Sequence, residues 1–293
     1  MTRDLAGYRV LAVHAHPDDE SLWTGGALAS LAQRGADVTV VTCTLGEEGE
    51  VIGETYQELV ADHGDQLGGF RIGELREALG HLGVHGIHLG APGRYRDSGM
   101  AGSPAHANPR AFVNNTDRAV EDLVEVLAQY RPHVLITYGP DGGYGHPDHI
   151  QAHRISHLAA EQVPVGRILW AVTERAELTA GLAALRTIPA GWRRADDEIA
   201  SVDGSDVAVD LDDQAYYAKA EAMRAHATQL WLADGRSSHT NPHPADADSA
   251  AGLVTFALSN LIAQPLMCRE HYQVGSGPAY SSPSACLLEG LER

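Results

Sequence analysis

Arg9-Val10-Leu11-Ala12-Val13-His14-Ala15-His16-Pro17-Asp18-Asp19-Glu20 is the stretch from which the fold is read. Its first half is short and apolar at Val10, Leu11 and Val13, the pattern of a buried strand. The small residues after Glu20, Gly25-Gly26-Ala27-Leu28-Ala29, read as the start of a helix. His16 and Asp19 therefore fall where a strand ends and a helix begins. In an open parallel sheet, ligands bind at the carboxyl ends of the strands. Tyr144-Gly145-His146-Pro147-Asp148-His149 repeats the arrangement: residues 133–138 are strand-like, a Gly-rich loop follows, and helical sequence resumes near Ile150.

His16, Asp19 and His149 together offer two imidazoles and one carboxylate, with no thiolate nearby in sequence. Structural zinc sites are closed by four protein ligands, often cysteines, whereas catalytic zinc keeps one position open for water. Three nitrogen and oxygen ligands match the catalytic type. Asp18, beside Asp19, is placed to act as a general base toward that water, whose pKa a metal lowers to about 7 in the best cases. The bland alternative is that these residues only cap the helices that follow. Its recurrence in two stretches, each after a strand and each with several polar residues around a proline, argues against it.

Bulk composition narrows the partners. With 39 acidic against 21 basic residues, the 293-residue chain carries a net charge of -18. Nucleic acid and anionic membranes both require a positive face, so neither is expected as a partner. Three cysteines, Cys43, Cys268 and Cys286, form neither a disulfide framework nor a zinc-ribbon spacing. The first eight residues lack the basic and apolar regions of a signal peptide. No run approaches the ~20 apolar residues that span a bilayer. The expectation is a cytoplasmic protein; the oligomeric state is not legible.

In chain order, a helix over about 21–34 stops at Gly35, and 37–44 is a second strand, so the opening is β-α-β with a right-handed parallel crossover. The first turn carries His-Pro-Asp-Asp where a Gly-rich phosphate loop would stand, which excludes the dinucleotide fingerprint. Residues 45–53 form an acidic, glycine-punctuated loop on the same sheet edge; Glu47, Glu48 and Glu50 are either solvated or hydrogen-bonded to a polyhydroxylated substrate. A helix or pair of helices over 55–82 is expected to break near Gly68-Gly69, with Arg71 just beyond as a surface residue. A third strand covers 85–89. The long loop after it, 91–109, is either a sugar-binding rim or a mobile insertion. A helix over 116–129 buries Val120, Leu123, Val124 and Leu127, and another covers 150–162. Strands at 167–172 and 207–211 and helices at 174–185 and 213–230 complete the reading. The fold class is thus α/β: a Rossmann-like, mostly parallel sheet flanked by helices over 1–172, and a smaller C-terminal α/β part, 173–293, closing the pocket of one domain. His239 and His243, among prolines, are set aside, as are His63, His81, His88, His153 and His271.

Ala15-His16-Pro17-Asp18-Asp19-Glu20 with His146-Pro147-Asp148-His149 resembles the LmbE-like, or PIG-L, family of zinc-dependent N-deacetylases. The strings at 41–53, 94–100 and 138–144 are similar to the actinobacterial branch of that family that acts in mycothiol biosynthesis. The resemblance implies a small pseudo-disaccharide substrate, 1-D-myo-inositol 2-acetamido-2-deoxy-α-D-glucopyranoside, cleaved to the free amine and acetate. It implies one Zn2+ per subunit on His16, Asp19 and His149, with Fe2+ as the other candidate ion, and Asp18 as base. It implies His146 as general acid or oxyanion stabiliser, Asp148 as the residue that orients it and keeps it cationic, and Tyr144 as the group polarising the carbonyl. Arg71, Asp97, Glu50 and Met100 match substrate-side positions.

Three other readings stand beside it. A related amidase cleaves mycothiol S-conjugates; it carries a lysine shortly after the first motif, where this chain has Ser21-Leu22-Trp23-Thr24-Gly25. Two histidines and a carboxylate also describe the facial triad of non-haem iron oxygenases, though the parallel α/β pattern and the extra Asp18 speak against that. A sugar-binding module that had lost its chemistry would not be expected to keep Asp18, Tyr144 and His146 beside all three ligands.

Overall fold

The computed structural model describes residues 4–281 and 286–293; the first three residues of the N-terminal stretch read above lie outside the described residues. The elements run β1 (Arg9–His14), α1 (Gly25–Gln33), β2 (Asp37–Thr42), α2 (Leu67–Leu82), β3 (His85–His88), α3 (Thr116–Tyr130), β4 (Val134–Tyr138), α4 (Pro147–Gln162) and β5 (Arg167–Val172). Then follow α5 (Arg175–Ala184), β6 (Leu185–Thr187), β7 (Val207–Asp210), α6 (Asp213–Ala225), β8 (Leu230–Leu232), β9 (Asp248–Ser249), β10 (Thr255–Leu258), β11 (Gln264–Pro265) and β12 (Arg269–Ser276).

Seven strands form the central sheet in the order β3-β2-β1-β4-β5-β12-β7. The β1–β2, β2–β3, β1–β4 and β4–β5 pairs are parallel, and β12 runs antiparallel to both β5 and β7. The sheet is therefore mostly parallel and flanked by helices, as the strand–helix alternation predicts. Because β7 and β12 belong to the same sheet as β1, the C-terminal stretch extends the core. A smaller three-stranded sheet, β11-β10-β8, lies beyond it.

β1 sits in the middle because both of its faces are apolar. Val10 and Ala12 join the cluster containing Leu28, Leu31, Leu75 and Leu79 from α1 and α2. Leu11 and Val13 join the opposite cluster with Leu123, Leu127 and Ile155 from α3 and α4. Leu11 is fully buried, and such a side chain contributes about 1.5–3 kcal/mol over its exposed state. After β1 the chain goes to β2 on one side, and it later reaches β4 on the other. The carboxyl ends of β1 and β4 therefore flank a topological switch point, the crevice where open α/β sheets bind ligands.

Local boundaries depart from the sequence reading in three places. The break expected at Gly68-Gly69 falls earlier: a short turn, Gln57–Leu59, ends the segment, and α2 begins at Leu67. Gly68 is required inside the first turn of α2, since a Cβ there would meet Glu47 Cγ at 2.7 Å and Leu45 Cβ at 3.0 Å. α4 starts at Pro147, not near Ile150, because Pro147 fits the first helical turn, where its missing N–H is not needed. α6 ends at Ala225, earlier than the apolar run suggested, and hands the chain to β8. The loop over 91–109 is held by an ion pair from Arg96 to Glu48 at 2.9 Å and to Asp65 at 2.7 Å, and Tyr95 within it is buried.

Candidate active site

His16 to Asp19 leave β1 in a tight loop that leads into a wide turn, Glu20–Thr24, ahead of α1. Asp18 has φ +114°, a conformation costing a non-glycine residue on the order of 1–3 kcal/mol and found where surroundings over-determine the backbone. His146 precedes α4 and caps it, its Nδ1 accepting the Asp148 N–H at 3.1 Å. His149 lies in the first turn of α4, fully buried. Tyr138, from the end of β4, stacks on the His149 ring with centroids 4.1 Å apart and fixes its plane.

The tautomers follow from the hydrogen bonds. His149 Nδ1 donates to the Gly142 carbonyl at 3.1 Å, which leaves Nε2 to face Asp19 Oδ1, 3.3 Å away. That Nε2 is buried without a hydrogen-bond partner. His16 Nε2 lies 3.4 Å from Asp148 Oδ2 and 3.6 Å from Asp97 Oδ1, while Nδ1 faces Asp19 Oδ2 at 3.3 Å. Both oxygens of one carboxylate thus face imidazole nitrogens. Lone pairs set against each other in a dry site call for a cation between them, and this donor set, two imidazoles and a carboxylate, suits one. Side chains able to hold a metal ion are therefore gathered at this switch point.

Charge at the cluster supports the same conclusion. Burial opposes protonation of His16, yet Asp97, Asp148 and Asp19 around it hold its imidazole well above the usual range. A metal cation supplies that positive charge with no proton on Nδ1. Against burial, His149 and His16 hold the Asp19 carboxyl well below the usual range. Burial pushes Asp18 up to about 6, against the pull of Arg71.

Arg71 is not a surface residue. It is 2% exposed, donates to the Gly46 carbonyl at 2.7 Å and to the Pro17 carbonyl, and brings Nη2 within 3.3 Å of Asp18 Oδ2. Gly46, at φ +65°, is needed here because a Cβ would strike the guanidinium. Asp97 is also buried, accepting the Gly99 N–H at 2.8 Å and the Glu48 N–H at 3.3 Å. Glu47, expected among solvated charges, is buried and accepts the Asp97 N–H at 3.0 Å.

Two expectations for His146 are corrected. The Asp148 carboxylate is turned onto His16 and accepts the Ser98 N–H at 2.9 Å, so its link to His146 is through the main chain alone. Burial, with His16 and His149 nearby, pushes His146 down to about 3. Because Nδ1 accepts the Asp148 N–H, the proton of a neutral ring is on Nε2. Its nitrogen also lies within 4.8 Å of those of His16 and His149, so three imidazoles converge where the sequence counted two.

A cavity of about 540 Å³ opens over this cluster, lined by His16, Asp18, Asp19, Arg71, Asp97 and His146 on one side. Glu50, Met100 and Tyr144 stand on its wall, the last two about half exposed. Asp148 and His149 are buried behind it. Away from the cluster the cavity continues along Leu178, Ile199, Phe256, Leu258 and Ile262.

Comparison with known proteins agrees with this geometry. The family PIG-L, GlcNAc-PI de-N-acetylase, matches residues 11–160. A protein of Corynebacterium efficiens, named 1D-myo-inositol 2-acetamido-2-deoxy-alpha-D-glucopyranoside deacetylase, is 62% identical over 99% of this chain and 94% of its own length. The chain belongs to the PIG-L family. A Corynebacterium glutamicum protein of the same name is 59% identical over 100% of this chain and 99% of its own. Among solved structures, a deacetylase–teicoplanin complex of the teicoplanin biosynthesis pathway superposes with a TM-score of 0.52 at 18% identity, over 92% of this chain and 99% of that one. This last likeness is one of fold. As a PIG-L member, the chain is an amide-hydrolysing deacetylase.

Several residues around the PIG-L site were given no role by the sequence. Glu20 belongs to the first motif, and its carboxylate is wholly buried. Glu270 of β12 accepts the Gly26 and Ala27 N–H groups, each at 2.8 Å, and so caps α1 from across the sheet. Lys219 of α6 pairs with it at 2.6 Å. Neither partner stands in a motif; only the fold brings them to the α1 terminus.

Proposed function

We propose that this chain hydrolyses the acetamide of 1D-myo-inositol 2-acetamido-2-deoxy-α-D-glucopyranoside to the free amine and acetate, with one zinc ion held by His16, Asp19 and His149. The observation that carries the reading is the pair of imidazole nitrogens facing the two oxygens of Asp19, with Asp18 beside them on the cavity wall. The substrate is supported by relatives 62% and 59% identical that bear that name. Ferrous iron is the other ion such ligands accept. A cytoplasmic setting is part of the same proposal; among the described residues no helix is long and apolar enough to cross a membrane.

An amide is a poor electrophile with a poor leaving group. Zinc held by His16, Asp19 and His149 would supply Lewis acidity toward the amide carbonyl and lower the pKa of the attacking water. Asp18 takes a proton from the water that adds to the amide carbon, and Arg71 holds the carboxylate in place. Oxyanion charge is met by the His146 Nε2–H and the Tyr144 hydroxyl. As the C–N bond breaks, the proton held by Asp18 passes to the departing nitrogen, so one carboxyl serves first as base and then as acid. In this reading Asp97 and Glu50 accept hydroxyl groups of the pseudo-disaccharide and Met100 packs against it, all three lining the cavity.

A second reading, cleavage of bulkier amides such as mycothiol S-conjugates, is favoured by the apolar extension of the cavity past Phe256 and Leu258. Amine release from both substrates, before and after chelation and zinc return, tests the two together. Preference for the acetamide, lost on chelation and restored by zinc, supports the first reading. Preference for the conjugate favours the second, and turnover of neither overturns both.

A further inference from the structure

His226, the residue just after α6, is fully buried beside the first motif. Its Nε2 lies 2.7 Å from Oε1 of Glu20, 206 positions earlier in the chain. Glu20, equally buried, accepts the Ser21 hydroxyl on the same oxygen at 2.5 Å. Its other oxygen, Oε2, accepts the main-chain N–H of Asp18 at 3.0 Å. A continuous chain of contacts thus runs from α6 to the Asp18 backbone.

What that chain holds is the conformation of Asp18, at φ +114°. Such a backbone persists only when the surroundings fix it. Arg71 holds the carboxylate at 3.3 Å, and Glu20 holds the amide. Without His226, Glu20 would be a buried carboxylate with no basic partner on Oε1, and burying an unpaired charge is strongly unfavourable. With nothing to fix Oε1 the carboxylate would turn toward another partner, and the Asp18 amide would lose its acceptor.

We infer that His226 is a positioning residue for Asp18, acting through Glu20, so that the C-terminal half of the chain sets the geometry of the reacting carboxylate. The inference rests on the reading of Asp18 as base.

Steady-state kinetics, bound-metal content and melting are compared for the zinc-loaded wild type, H226A, H226Q, E20L, D18N and the double variant D18N/H226A. Small misplacements of a reacting group cost up to about 10²-fold. H226A is expected to lower kcat by about tenfold or more, with KM within about twofold and metal content unchanged. H226Q, whose amide can still donate to Glu20, regains part of that loss. In the D18N background the H226A change produces little further loss. Turnover of H226A within about twofold of wild type, or an equal loss in the D18N background, overturns the inference. If H226A does not fold, E20L, which removes both acceptor oxygens at similar volume, tests the same chain, and wild-type kcat in E20L overturns it. Full activity of D18N would instead sink the reading of Asp18 itself, whatever His226 does.

Discussion

Arg71 Nη2 lies 3.3 Å from Asp18 Oδ2 while the same guanidinium donates to the carbonyls of Gly46 and Pro17. One planar fork therefore ties the reacting carboxylate to two loops, a geometry that a lysine point charge does not reproduce. R71K is expected to lower kcat by about 10–10²-fold, with a smaller change in KM. A purely substrate-binding Arg71 would show the reverse, a large rise in KM at near-normal kcat. Steady-state kinetics on the acetamide substrate separates the two.

Ligand and base assignments make opposite predictions for neighbouring aspartates. D19A removes the carboxylate whose two oxygens face His16 and His149, and the purified protein should lose its bound metal. D18N should keep the metal and lose about 10²–10⁴-fold in turnover. H146A should also keep the metal, since His16, Asp19 and His149 are proposed to hold it and His146 to donate to the oxyanion. Metal analysis of the three proteins decides; retention in D19A with loss in H146A would move the third ligand to His146.

Much of this was legible because the decisive signals are local. A two-faced apolar run such as Val10 to Val13 can only be an interior strand, and its switch-point position follows from the alternation of elements. The motif residues then sit at strand ends by construction. Arg71 was misread because nothing in its neighbours marks the carbonyls it reaches, which arrive from the loops at Pro17 and Gly46. The orientation of Asp148 was equally hidden. Its position in the motif allows the carboxylate to serve either His146 or His16, and the Ser98 N–H delivered by the long loop selects His16. Distant partners such as Glu270 and His226 are set by tertiary packing alone.

Glu270 links the two halves of the chain energetically. Its carboxylate receives the N–H groups of Gly26 and Ala27, the Tyr272 hydroxyl at 3.0 Å and the Lys219 ammonium at 2.6 Å, all buried. E270A leaves a buried lysine and an uncapped helix end, and removing one partner of such a pair costs about 3–5 kcal/mol. Urea unfolding should show that loss as a lower midpoint at unchanged m value. A drop below about 1 kcal/mol would mean that water or another acceptor replaces the carboxylate.

His157 on α4 offers a test of pH-dependent stability away from the cluster. Trp170 Nε1 donates to His157 Nε2 at 3.0 Å, which requires that nitrogen to be unprotonated. Burial, with His153 nearby, holds the ring below its ordinary value of 6.5. Between the folded and unfolded values the unfolded chain binds more protons, so stability rises with pH there. The contribution is fully present above about 6.5 and is lost as pH falls through the lowered folded value. H157L removes both the titration and the acceptor. Its stability deficit against wild type should be largest near pH 7.5 and should shrink by pH 5. Urea melts of the two proteins at both pH values give the comparison. A deficit that stays constant would show that His157 keeps the same affinity for protons folded and unfolded.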